Sequence, residues 1–193
     1  MNTPNKLTIA RIIATPFFMA ALMIEFPFHY TVALILFIAA SLTDMIDGKM
    51  ARKYNMITDF GKFLDPLADK MLTTAAFLGF IKMGIGWQET WIAFIVLFRE
   101  FLISSLRLVV VSSGGKVIAA NMWGKCKTVS QMAGIILALF AYVLISDFGI
   151  NNVVFVSVCN IIISILFWAS AVLCIISGAI YLKDSKEYID PSK

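Results

Sequence analysis

Asp44-Met45-Ile46-Asp47-Gly48-Lys49-Met50-Ala51-Arg52, followed after eight residues by Gly61-Lys62-Phe63-Leu64-Asp65-Pro66-Leu67-Ala68-Asp69, is the stretch on which fold and chemistry both turn. On helices, Asp44 and Asp47 (i, i+3) share one face, and so do Asp65 and Asp69 (i, i+4). The sequence around them is strongly apolar, and acidic groups near lipid are costly unless they face the protein interior, a partner or water. Carboxylates at this spacing on two facing helices suit a hard divalent cation, or two, holding a phosphate ester. A purely structural role would leave four buried charges without a cation, which is expensive.

Working outward, the 193 residues are 60% hydrophobic with a mean hydropathy of +0.88. A soluble domain does not carry so much apolar sequence, so the reading is an all-α polytopic membrane protein. Apolar runs between polar breaks predict six transmembrane helices, at 6–25, 30–54, 60–84, 89–112, 124–146 and 152–183. The breaks are Pro27, Gly84-Ile85-Gly86, Ser113-Gly114-Gly115 and Asp147-Phe148-Gly149. No linker or repeat divides the chain, so residues 1–193 form one expected domain. Lys6 and the apolar run after it could imitate a signal peptide. Arg11 interrupts that run and no convincing cleavage site follows, so a retained first helix is expected.

The formal charge of +4 does not imply nucleic acid here. In an apolar chain, Lys and Arg mark the cytoplasmic side and its anionic lipids. All the basic residues but Lys82 fall on one side or in the helix portions leading to it. The other side carries Glu25, His29, Glu89 and Asp147. Both termini are therefore expected in the cytoplasm, and His29, opposite the acidic cluster, is rejected as a ligand or base. Asp44 lies fourteen residues beyond Tyr30, about 21 Å along a helix, and Asp69 thirteen residues before Lys82, roughly 20 Å. The carboxylates thus share a level just inside the cytoplasmic face. Cys126, Cys159 and Cys174 are odd in number and scattered, and free thiols are expected.

The string D-x-x-D-G-x-x-A-R-x8-G-x-x-x-D-x-x-x-D resembles the signature of the CDP-alcohol phosphotransferases at every position. The resemblance implies a six-helix membrane fold, a homodimer and a requirement for Mg²⁺ or Mn²⁺. It further implies an acceptor hydroxyl attacking the lipid-side phosphorus of a CDP-lipid, with CMP leaving. Asp44, Asp47, Asp65 and Asp69 would hold two divalent ions, and Asp69 matches the family's general base. Gly48 and Gly61 would let a nucleotide or helix approach the backbone closely. Arg52 would place a planar fork on a phosphate oxygen.

Asn5, Thr8 and Arg11 share a face of the first helix. They form either a capped helix start with a snorkelling Arg, or a cytidine contact through Asn5 and Thr8. The opening P-N-x-L-T-x-x-R resembles the branches of the family that use glycerol 3-phosphate or phosphatidylglycerol as acceptor. R-E-x-x-I-x-x-x-R from Arg99 to Arg107, and G-K-x-K-T from Gly124, favour the first branch. Arg107, Lys125 and Lys127 would then hold the acceptor phosphate; the alternative is that they serve topology alone. Arg99 and Glu100 read more readily as a structural pair. The implied reaction converts CDP-diacylglycerol and glycerol 3-phosphate to phosphatidylglycerophosphate and CMP, in the inner cell membrane with the site facing the cytoplasm. A divalent-cation transporter would also bury carboxylates, but it leaves Gly48, Ala51, Arg52 and the spacing between the pairs unexplained.

Overall fold

The structure, a computed structural model, describes residues 2–53, 59–112 and 122–185; at some positions within them, Asp47, Gly48 and Arg52 included, only the backbone is described. Among the described residues every element is helical. They are α1 (Thr3–Met23), α2 (His29–Lys53), α3 (Asp59–Met83), α4 (Glu89–Ser112), α5 (Met122–Tyr142), continued by a π-helical turn (Val143–Asp147), and α6 (Val153–Asp184). The six expected helices are all present, with ends moved by at most three residues. Among the described residues three of them, α1, α5 with its π turn, and α6, are long and apolar enough to cross a membrane. In α3 and α4 the charged residues of the site interrupt the apolar windows, and the described part of α2 holds an apolar stretch from His29 to Asp44.

Local chemistry explains the helix ends. Helix α1 begins early because the Asn2 side chain accepts from the Asn5 amide at 3.2 Å, and Pro4 sits in the first turn, where no amide donor is needed. It stops at Ile24, which is extended ahead of Glu25-Phe26-Pro27. Gly84 and Gly86 take φ of +66° and +95° between α3 and α4, a conformation that favours glycine. Helix α3 runs on through Pro66, so the Asp65-Pro66 step does not break it. The π turn ends at Asp147, whose carboxylate accepts from the Thr31 amide and hydroxyl, both at 2.7 Å. That places negative charge at the N-terminus of α2. The expected break at Ser113-Gly114-Gly115 lies outside the described residues.

Helix α1 packs along both α2 and α3, α5 lies against α6 and α2, and α6 also meets α4. Phe18, Phe37, Phe77, Phe80 and Phe167 fill the centre, with the Phe167 ring 5.4 Å from Phe77 and 5.8 Å from Phe80. Large apolar side chains including Ile13, Phe17, Phe94, Phe98, Ile161 and Ile165 stay exposed, a surface that suits lipid. Among the described residues α2 and α3 touch only slightly and α1 packs along both. The end of α2 and the start of α3, where the sequence reading has the two helices face each other, fall largely outside the described side chains. The helices alternate in direction, so the start of α1, the later part of α2 and the start of α3 meet at one end of the bundle. The later parts of α4 and α6 and the start of α5 lie at that same end.

Candidate active site

Helix α1 is the mount for the acidic residues. Arg11 is 2% exposed, and its guanidinium donates to Asp44 Oδ1 at 2.5 Å, across from α1 to α2. One turn earlier, the Thr8 hydroxyl lies 2.8 Å from Asp65 Oδ1 on α3 and 3.2 Å from its own Pro4 carbonyl. Asn5, Thr8 and Arg11 are all buried on one face, as the i, i+3, i+6 spacing predicts. Arg11 does not snorkel. Its buried charge is matched by the Asp44 carboxylate, whose side chain remains 48% exposed. Asp65 is exposed as well, so both carboxylates combine an anchored oxygen with access from outside.

Asp69 is one helical turn beyond Asp65. Its charge is coupled to those of Asp44 and Glu100 and to the opposing charges of Lys127 and Arg11, so it lies within electrostatic reach of the Arg11–Asp44 pair and of a second charged grouping. That grouping centres on Glu100 of α4. Lys127 of α5 donates to Glu100 Oε1; Arg99 reaches the same oxygen at 3.2 Å; Lys70 of α3 stands 4.0 Å from Oε2. Lys70 also donates to the Ser104 hydroxyl and, at 3.2 Å, to the Glu100 carbonyl. Arg99 extends to the Ser177 hydroxyl on α6 at 3.2 Å. Lys127, 6% exposed, is thus a buried cation with a defined partner.

The remaining expected site residues divide cleanly. Arg107 is exposed, with its guanidinium carbon 5.8 Å from the centre of the Tyr181 ring, a cation–π distance. Lys125 is exposed on the first turn of α5, and Gly61 is buried in the first turn of α3. Asp47, Gly48 and Arg52 lie on α2, but their surroundings fall outside the described residues. His29 sits at the opposite end, its Nδ1 3.0 Å from the Ala21 carbonyl. Two site residues escaped the sequence reading, Arg11 as the anchor of Asp44 and Lys70 as part of the grouping around Glu100. Lys70 follows Asp69 in an apolar helix; an intramembrane cation beside a signature carboxylate was the available signal.

Among the described residues, no three His, Cys, Asp or Glu side chains converge to hold a metal ion; Asp47 is outside that set. The donor chemistry nonetheless fits a hard divalent cation. Asp44 and Asp65 offer accessible carboxylate oxygens, and Asp44 already accepts a positive partner in Arg11.

Comparison with known proteins gives a consistent result. The family model for CDP-alcohol phosphatidyltransferase matches residues 1–176. The chain is 36% identical over 203 aligned positions to the CDP-diacylglycerol--glycerol-3-phosphate 3-phosphatidyltransferase of Bacillus subtilis, covering 99% of this chain and 98% of the relative. It is 38% identical over 191 positions to the Rickettsia bellii protein of the same name, covering 97% of each. The Haemophilus influenzae protein of that name is 35% identical, with 96% of this chain and 94% of the relative covered.

Proposed function

The chain belongs to the CDP-alcohol phosphatidyltransferase family, and from that premise we propose that it makes phosphatidylglycerophosphate and CMP from CDP-diacylglycerol and glycerol 3-phosphate. It is a membrane protein and a transferase of phospholipid synthesis. In the fuller reading, residues 1–193 form one domain with six membrane-crossing helices, both termini in the cytoplasm, in the inner cell membrane and as a homodimer. The observation that carries the catalytic reading is the anchoring of Asp44 by Arg11 and of Asp65 by Thr8 one turn from Asp69, with the cationic side chains around Glu100 within electrostatic reach. An anionic lipid pyrophosphate on one side and a phosphorylated acceptor on the other would meet there.

In this mechanism Asp44, Asp47, Asp65 and Asp69 hold Mg²⁺ or Mn²⁺, two ions in the full complement. When bound, such ions would supply charge neutralisation for the pyrophosphate and for the leaving CMP oxygen, and the four aspartates would hold them. Arg11 and Thr8 keep the Asp44 and Asp65 carboxylates in fixed positions, so little reorganisation is needed as charge develops. Asn5, Thr8, Asp47, Gly48, Arg52 and Gly61 line the nucleotide side, with Arg52 placing its fork on a phosphate oxygen. Arg107, Lys125 and Lys127 hold the acceptor phosphate. Asp69 takes the proton of the acceptor hydroxyl as that oxygen bonds to the lipid-side phosphorus. The bond from this phosphorus to the bridging oxygen breaks, and CMP leaves carrying that oxygen.

One assay tests the reading. Purified protein, labelled CDP-diacylglycerol and Mg²⁺ are offered glycerol 3-phosphate, phosphatidylglycerol, serine or inositol phosphate in turn. The expected result is CMP release with glycerol 3-phosphate, lost on chelation and restored by Mg²⁺ or Mn²⁺. Preference for phosphatidylglycerol would move the protein to the cardiolipin-forming branch. Turnover with none of them would reject the assignment.

A further inference from the structure

Lys127 and Lys70 reach toward the same carboxylate, Glu100, and Arg99 shares it. Taken together, these four side chains carry three positive charges and one negative, a net +2. That balance matches a phosphate monoester dianion. Glu100 is itself a carboxylate on a buried ammonium, so it occupies the kind of position that a phosphate oxygen would take. We propose that Glu100 is an internal stand-in for the acceptor phosphate, a positioning residue that holds Lys127 and Lys70 in place and is displaced from Lys127 when the acceptor's phosphate arrives. The inference rests on the proposed use of a phosphorylated acceptor, and it adds a competitor built into the acceptor site.

The geometry supplies the reasons. An unpaired ammonium at the depth of Lys127, 6% exposed, would carry a heavy desolvation cost, so some anion must stand beside it. Glu100 is anchored independently of Lys127. Arg99 holds its Oε1 at 3.2 Å, and Arg99 is itself fixed to Ser177 at 3.2 Å. Glu100 can therefore release Lys127 and remain paired. Ser104 links the Glu100 carbonyl, at 2.8 Å, to Lys70, so the second ammonium is tied to the same turn of α4. Asp69 lies within electrostatic reach of both Glu100 and Lys127. Lys70, which follows Asp69 on α3, ties the grouping to the helix that carries the proposed base. Arg107 stands apart over Tyr181.

Glu100→Gln tests this, because it keeps the shape and an acceptor oxygen but removes the competing charge. In detergent-solubilised full-length protein, the variant should melt lower than the parent without added phosphate. It should gain more than the parent when glycerol 3-phosphate or inorganic phosphate is added. The KM for glycerol 3-phosphate should fall roughly tenfold, the equivalent of one charge-assisted hydrogen bond no longer contested. The KM for CDP-diacylglycerol should stay unchanged and kcat should not rise. A KM for glycerol 3-phosphate that is unchanged or raised, or an equal melting loss with and without phosphate, would overturn the proposal and leave Glu100 a structural counter-ion. If Glu100→Gln does not fold, Glu100→Asp decides the point; it retreats by one methylene and should lower the same KM by a smaller factor. Parent protein that turns over no phosphorylated acceptor defeats the proposed function and this inference together. Parent activity with an unmoved KM defeats the inference alone.

Discussion

The guanidinium of Arg11 and the carboxylate of Asp44 are 33 positions apart in sequence and 2.5 Å apart in space. Replacing Arg11 by Met would leave Asp44 without its partner next to other negative charge. Removing one member of a buried pair typically costs about 3–5 kcal/mol, and the half exposure of Asp44 argues for the lower part of that range. The expected outcome for Arg11→Met is a lower melting temperature and a large loss of CMP release. Arg11→Lys, which keeps the charge but not the planar fork, should fall between. Asp69→Asn should behave differently, abolishing CMP release while the melting curve stays near that of the parent. Full activity in that variant would remove Asp69 from the role of base. The four aspartates were legible in the sequence because i, i+3 and i, i+4 spacing is a property of one helix. Their anchors were not. Spacing puts Asn5, Thr8 and Arg11 on one face, but it does not say which neighbouring helix that face meets.

At the scale of elements, α1 is the part that ties the two acidic helices together, through Arg11 to Asp44 and Thr8 to Asp65. It crosses both, and Gly79 of α3 lets it come close; a Cβ there would stand 2.5 Å from Leu22 Cδ1 of α1. The same device brings α5 onto α6. A Cβ at Gly134 would stand 2.7 Å from Phe167 Cε1 and 3.5 Å from Leu166 Cβ. Phe167 cannot yield freely, because its ring already rests on Phe77 and Phe80. Gly134→Ala should therefore destabilise by about 1–3 kcal/mol, the usual cost of overpacking, read as a lower melting temperature. Because Lys127 begins two turns earlier on the same α5, the variant should also weaken glycerol 3-phosphate more than CDP-diacylglycerol. An unchanged melting temperature would mean that α5 and α6 separate at little cost. Helix positions were legible from apolar periodicity and from Pro27, Gly84-Ile85-Gly86 and Asp147-Phe148-Gly149. The widening of the last turn of α5 into a π turn was not. The turn ends on Asp147, whose carboxylate meets Thr31 116 positions away, a contact that local periodicity does not encode.

The whole molecule is an alternating bundle in which charged groups gather at one end. Arg11, Asp44, Asp65, Asp69, Lys70, Glu100 and Lys127 come from five helices, and each is placed by the direction in which its helix runs. Among the described residues hydropathy finds three clear spans, and α3 and α4 fall short because they carry charged residues of the site. The six-span reading needs the basic residues too, and they make a prediction for the intact membrane. Cys126 is exposed on the first turns of α5, one residue from Lys127, whereas Cys174 is buried within α6. With the charged end in the cytoplasm, a membrane-impermeant maleimide should leave Cys126 unmodified in sealed right-side-out vesicles. It should modify Cys126 in inverted vesicles or after permeabilisation, with Cys159 and Cys174 replaced by Ser and Ala so that one thiol reports. Bound glycerol 3-phosphate should slow that modification, because the phosphate would occupy the turn that carries Lys125 and Lys127. Labelling in sealed right-side-out vesicles would reverse the orientation and place the charged end where cytoplasmic CDP-lipid and glycerol 3-phosphate do not reach it.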